Sequence, residues 1–453
     1  MDSHREQFGS RMAAVLALAG SAVGLGNIWR FPYMVGEYGG AIFLVFYLIF
    51  TFFLSLPVFY AEAIIGKKGR KGAFGSFSAL APGTNWKLVG VLCIVSCFII
   101  TSYYSVVGGW ATDYLARSVA TGFESLSQST ATSLFSKVSS SVWEPIIAHT
   151  VFLGFAAIII KLGIKNGIEK FTKITMPILF VLMIFIMIFS LSLDGAKEGV
   201  KYMLRPDFSK FSAKTLAFAL GQSFFSLSLG MGTVLTYASY MRDEDSIASA
   251  GLYTSIFDFS FALISAFVVI PAVFAAGLEP GAGPSLVFES LPYIFSKMGQ
   301  TAPVLSRAVT IFFFLSVFFA AITSLISMFE VCTAHLVEDR KISRTKASLI
   351  IFFSCWLLGI LCSLSFGVLE DIKLFGYTIF SFFDTLASNY LMTLGALLFV
   401  LFVGWKMDRE SAIDQFSMRK SRKREKTFPY FYFVIKYVAP VVIIAIFLSN
   451  FIK

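Results

Sequence analysis

Residues 21–32, SAVGLGNIWRFP, place two glycines, an amide, an arginine and a proline inside a long apolar run. A second interruption of the same kind, SLSLGMG at 226–232, lies within GQSFFSLSLGMGTVLTYASY. A helix that unwinds in an apolar medium frees backbone carbonyls and exposes two helix ends. The carbonyls and the partly negative C-terminal end suit Na⁺, and the partly positive N-terminal end suits a carboxylate. Hard cations take oxygen ligands, which Asn27, Ser226, Asp258, Thr323 and Ser324 could add to those carbonyls. A solute with both an ammonium and a carboxylate, an α-amino acid, would fit between two such breaks. Close packing through small residues explains the glycines, but not Asn27, Arg30 and the serines.

Other chemistries lack their parts. None of the three histidines lies near a candidate nucleophile, so the chain does not read as an enzyme. Cys93, Cys97, Cys332, Cys355 and Cys362 fall in or beside apolar segments, at spacings that match neither a metal site nor a disulfide framework. They read as small buried hydrophobes.

The elements that must carry the breaks follow from composition. The chain is 57% hydrophobic and only 14% charged over 453 residues, a balance that a soluble domain of this length does not show. Apolar runs at 12–36, 40–66, 87–117, 146–162, 171–193, 214–240, 249–277, 303–337, 347–367, 385–405 and 429–451 predict about eleven membrane-spanning helices. They are too long and too continuously apolar for barrel strands. The basic stretches GKKGRKG, KLGIKNGIEK, EDRKISRTK and RKSRKREK fall on one side, which predicts a cytoplasmic N-terminus and a C-terminus outside, in a cell membrane. The net charge of +10 thus reads as a topology signal and an anionic-lipid contact, not as a nucleic-acid footprint.

The two interrupted helices are five spans apart. That odd separation turns the second unit upside down relative to the first, so spans 1–5 (12–193) and 6–10 (214–405) can form an inverted pair, with 429–451 as an extra span. The expected fold is an all-α polytopic membrane protein, one domain over 1–451, with an inverted 5+5 repeat and broken helices 1 and 6. Matching breaks in two such halves point to a transporter binding site.

The residues GSAVGLGNIWRFPY, EYGGAIF, SYYSVVGGW, FFSLSLGMGTVLTYASY and FFAAITSLISMFE resemble the neurotransmitter:sodium symporter family, from about residue 5 to the last span. Its bacterial amino-acid carriers have the leucine-transporter-like fold. The resemblance implies symport of a neutral, hydrophobic or aromatic L-amino acid with Na⁺ at two sites. Ala22, Asn27, Ser226 and Asp258 match the first sodium site. Gly20, Val23, Ala320, Thr323 and Ser324 match the second. Tyr104 matches the residue that holds the carboxylate, and Phe225 its partner lid. Leu25 and Gly26 would offer amides to the carboxylate, while Ala22, Phe225 and Ser228 would offer carbonyls to the ammonium. Ile100, Met231, Ser324 and Met328 would line the side-chain subsite, beside Ser226.

The same resemblance implies an outer gate of Arg30 and Asp384, which gives the intramembrane arginine its reason. It implies an inner gate of Arg5, Tyr240 and Glu338, with Asp339 as the alternative carboxylate. Gly167 and Pro177 match a helix-5 end that unwinds to admit water to the second sodium. Glu62 also matches a family glutamate. Many animal members need chloride, held at positions matching Tyr47, Gln222, Ser226 and a serine that is Ala262 here. The missing hydroxyl and the carboxylate of Asp258 imply that this chain needs none. The chain departs from the family norm of twelve spans, and its oligomeric state stays open. A competing reading is a membrane sensor that binds an amino acid without transport, with the basic stretch 406–427 docking a partner.

Overall fold

The computed structural model describes residues 5–123, 126–206, 208–278, 287–300, 302–416 and 426–449. Within them, nine helices are long and apolar enough to cross a membrane. They are α3 (Ala41–Gly69), α4 (Lys87–Ala120), α5 (Trp143–Lys161), α6 (Ile164–Leu191), α9 (Ile247–Ala275), α10 (Pro303–Glu338), α11 (Arg344–Leu364), α12 (Ile379–Lys406) and α13 (Phe428–Leu448). A tenth passage is the pair α1 (Arg11–Ala22) and α2 (Gly26–Glu37), bent by 52° at its break. The short helices α7 (Ala213–Ser226) and α8 (Thr233–Ala238) supply the eleventh. The broken passages are therefore the first and the sixth.

The start of each broken passage is written in its sequence. Ser10 caps α1 by accepting from the Ala13 amide, and Ser212 caps α7 by accepting from Thr215. α1 ends where Val23 turns extended (φ −70°, ψ 103°). Asn27 then reaches back three residues to accept from the Gly24 amide at 3.1 Å, which ties down the start of α2. Pro32 lies inside α2, just after a π-helical turn at Gly26–Arg30. In the second break Gly230 takes φ +88°, and a Cβ there would lie 1.9 Å from the Met392 carbonyl of α12. Only glycine allows that approach.

α4 and α10 form the centre, packed on each other, with α5 and α11 against α4, and α1 against both α9 and α10. The outermost helices keep apolar faces uncovered, as at Val181, Ile188 and Val441. In a membrane those faces meet lipid.

Two boundaries differ from expectation. α6 begins at Ile164 rather than 171, because Glu6 accepts from the Ile164 amide at 2.6 Å and so caps an extra turn. α12 begins at Ile379 rather than 385, because Thr378 accepts from the Ser381 amide. A two-stranded hairpin, β1 (Lys373–Leu374) and β2 (Tyr377–Thr378), leads into it. Most of the basic stretch after α12, residues 417–425, and the end of the last span, 450–451, lie outside the described residues.

Candidate functional site

The two breaks face each other across one cavity of about 240 Å³. Its wall includes every residue expected to hold the substrate: Ala22, Leu25, Gly26, Ile100, Tyr104, Phe225, Ser226, Ser228, Met231, Ser324 and Met328. The Tyr104 hydroxyl accepts from the Leu25 amide at 3.2 Å, so it stands over the free start of α2. Phe225 packs so closely on Gly26 that a Cβ there would lie 2.9 Å from its ring. Met231, Met328 and Ile100 give the far wall an apolar character with no charged side chain among them.

Beside the cavity, Asp258 of α9 is fully buried among neutral partners. Asn27 Nδ2 donates to it at 2.7 Å, the Ser226 hydroxyl lies 2.8 Å from both of its oxygens, and the Tyr47 hydroxyl donates at 3.3 Å. Among the described residues no Lys, Arg or His pairs with it. A buried carboxylate without a cation, with two hydroxyls and one amide side chain around it, is a donor set that fits a hard monovalent ion.

The second expected sodium group gathers where α1 ends against α10. The Ser324 hydroxyl lies 3.3 Å from the Ser21 carbonyl and 3.4 Å from that of Val23. A Cβ on Gly20 would sit 3.4 Å from the Thr323 Cβ. The Thr323 hydroxyl is 3.1 Å from the Ala320 carbonyl. The five positions thus share one oxygen-rich seam, and this donor set fits the same kind of ion.

Glu62, for which the sequence suggested no role, has one here. From α3 it accepts the amides of Gly230 at 3.0 Å and Leu235 at 3.3 Å, on either side of the start of α8. The carboxylate meets the free amides that the break exposes.

The two expected gate pairs differ. Arg30 and Asp384 line the same cavity but form no ion pair, which corrects the expected contact for this conformation. Instead Arg30 lies 4.8 Å over the Phe225 ring, and Asp384 accepts from Ser388 at 3.2 Å. The cavity itself separates the two charges.

At the other end Arg5 pairs with Glu338 at 2.7 Å, donates to Ser239 at 2.6 Å, and lies 4.4 Å over the Tyr240 ring. Glu338 also accepts from the Gly72 amide at 2.8 Å. Asp339 is not the partner, since it accepts from His335 at 2.9 Å. Tyr240 donates not to Glu338 but to Glu330, at 2.7 Å.

Glu330 is fully buried and is also held by Arg344 of α11. Sequence reading passed over this pair. A lone glutamate deep in an apolar span was the signal that could have found it.

Gly167 and Pro177 are not at an unwound end here. Gly167 lies in a π-helical turn, Ile164–Glu169, and Pro177 lies inside the helix that continues from it. Two carboxylates hold that turn to the N-terminal segment. Glu6 accepts from Ile164, and Glu169 accepts from the Gly9 amide at 2.7 Å.

Comparison with known proteins gives this geometry its context. The chain matches the sodium:neurotransmitter symporter family over residues 5–138 and 140–453. It is 35% identical to YhdH, an uncharacterized sodium-dependent transporter of Bacillus subtilis, over 98% of this chain and 97% of that one. It is 33% identical to an uncharacterized sodium-dependent transporter of Haemophilus influenzae, over 99% of each. The crystal structure of MhsT in complex with L-phenylalanine superposes with a TM-score of 0.89 at 38% identity, covering 98% of this chain and 99% of that one. Sequence and fold agree over the whole bundle, so this multi-pass membrane protein belongs to the sodium:neurotransmitter symporter family, whose members are sodium-coupled transporters.

Proposed function

We propose that the protein is a symporter that moves neutral, apolar or aromatic L-amino acids into the cell with Na⁺ at two sites, by alternating access and without chloride. One observation carries this reading: two helix breaks meet in a single cavity whose polar end offers amides and carbonyls and whose far wall is apolar. The amides of Leu25 and Gly26 suit the carboxylate, and the carbonyls of Ala22, Phe225 and Ser228 suit the ammonium. A volume of about 240 Å³ is below the roughly 300–1,000 Å³ of drug-sized pockets and fits one amino acid. The solved relative's L-phenylalanine supports the aromatic part of the range.

Asn27, Ser226, Asp258 and the Ala22 carbonyl would hold one Na⁺. Thr323, Ser324 and the carbonyls of Gly20, Val23 and Ala320 would hold the other. Bound Na⁺ supplies positive charge that links α1 to α7, α9 and α10. With Arg30 apart from Asp384 and Arg5 joined to Glu338, the cavity is reached from the side opposite the N-terminus. We place that side outside the cell, with the N-terminus cytoplasmic, the C-terminus outside and basic loops on anionic lipid. Release inward then requires the Arg5–Glu338 contact to part and the first turn of α6 at Gly167 to unwind.

Uptake of labelled amino acid into sealed liposomes under an inward Na⁺ gradient tests the reading. Accumulation above the equilibrium level supports it, whereas stoichiometric binding that then stops would make the protein a sensor. Leu, Met, Phe, Tyr and Trp should compete for uptake, and Asp, Glu, Lys and Arg should not. An unpaired charge against Met231 and Met328 costs several kcal/mol. Strong competition by lysine or glutamate would refute this pocket. Asn27→Ala and Thr323→Ala should each raise the sodium concentration for half-maximal uptake, by about tenfold for one lost charge-assisted contact. If both keep the parental sodium dependence, the two-site assignment is wrong.

A further inference from the structure

Several backbone groups in and just after the break between α7 and α8 are met by side chains. The Gly230 and Leu235 amides go to the Glu62 carboxylate. The Ser228 carbonyl accepts from the Thr233 hydroxyl at 3.2 Å. The Met231 carbonyl accepts from the thiol of Cys97, with Sγ at 3.1 Å.

Cys97 is fully buried on α4, outside the cavity wall. One turn earlier on the same helix face, Cys93 packs on the next residue of the break: a Cβ on Gly232 would lie 2.8 Å from the Cys93 Cβ. Three residues after Cys97 comes Ile100, again on that face, and Ile100 and Met231 both line the cavity.

These tethers differ in strength. A carboxylate holds the amides of the break, whereas a thiol is a weak donor and a soft, polarisable contact. The carbonyl of Met231 is therefore the lightly held end of the unwound segment, and its side chain forms the wall against the substrate.

We propose that Cys97 is a positioning residue for substrate selection: its thiol sets how far the Met231 backbone stands from Ile100, and so the width of the apolar subsite. The inference rests on reading the cavity as an amino-acid site.

The test measures sodium-dependent binding of L-phenylalanine and L-valine to the full-length protein, in the parent, Cys97→Ala and Cys97→Ser. In Cys97→Ala the wall loses its tether. L-Valine, which depends on a wall held close, should weaken more than L-phenylalanine, which fills the space. The ratio of the two dissociation constants should move by about three- to tenfold, the range of one modest hydrogen bond. Half-saturation by sodium should stay within about twofold, because the sodium groups lie elsewhere. Cys97→Ser keeps a donor and should return the ratio towards the parental value. An unchanged ratio in Cys97→Ala overturns the proposal, and so does Cys97→Ser behaving like Cys97→Ala, since packing alone would then explain the effect. A parent that binds neither amino acid in sodium overturns the reading of the cavity itself, a result that needs no variant.

Discussion

Asp258→Asn is expected to lower uptake in chloride-free medium by about a hundredfold or more, while the parent transports equally well in chloride and in gluconate. Two Na⁺ and a zwitterion would bring a net charge of +2 into a site of low dielectric, and some fixed negative charge has to offset it. Asp258 is fully buried, and its partners Asn27, Ser226 and Tyr47 are all neutral. It can serve as both sodium ligand and counter-charge. Two of the polar groups at the chloride positions implied by the family resemblance already serve neighbours. Tyr47 donates to Asp258 and Ser226, and Gln222 donates to the Gly26 carbonyl at 3.2 Å. Ala262, one turn beyond Asp258, brings no hydroxyl. In Asp258→Asn any remaining uptake should respond to added chloride, which would replace the missing charge. A parent that stops working in gluconate would sink this account.

The second large effect concerns the outer gate. Arg30→Gln and Asp384→Asn should each slow uptake severely, and the double variant should be little worse than either one. Removing one member of a buried pair leaves the other unmatched, at a cost of about 3–5 kcal/mol in the closed state. The two residues are apart in the structure, with Arg30 over Phe225 and Asp384 bonded to Ser388. Coupling should therefore appear in the transport rate, which requires closure, and not in the stability of the open form. Additive losses in a double-mutant cycle on uptake rate would mean that the two side chains never meet.

Much of this site was legible before any coordinates. The glycines and polar residues at 21–32 and 226–232 marked both breaks, because helix packing through small residues accounts for the glycines but not for Asn27, Arg30 and the serines beside them. The sequence reading did not single out Ser10 and Ser212, although their capping is local, since each acts on an amide three residues away. The motif resemblance brought together residues from five helices that all line one cavity.

Contacts between distant segments that the resemblance did not supply were not legible. The resemblance put Glu338 opposite Arg5, with Asp339 as the alternative, and the structure seats Glu338 there. Successive helical residues point about 100° apart, so one faces Arg5 and the other His335. The Glu330–Arg344 pair closes across a helix end, and Glu62 serves amides 168 and 173 positions away, separations at which local pattern carries no signal.

Local rules thus settled what the chain is made of: apolar spans, their order, and the two places where a helix could not continue. Packing settled the rest. Whether Arg30 meets Asp384, whether the turn at Gly167 is wound, and which donor reaches the Met231 carbonyl all depend on how whole helices stand against one another. Each is decided by side chains that meet across the bundle and share no sequence neighbourhood.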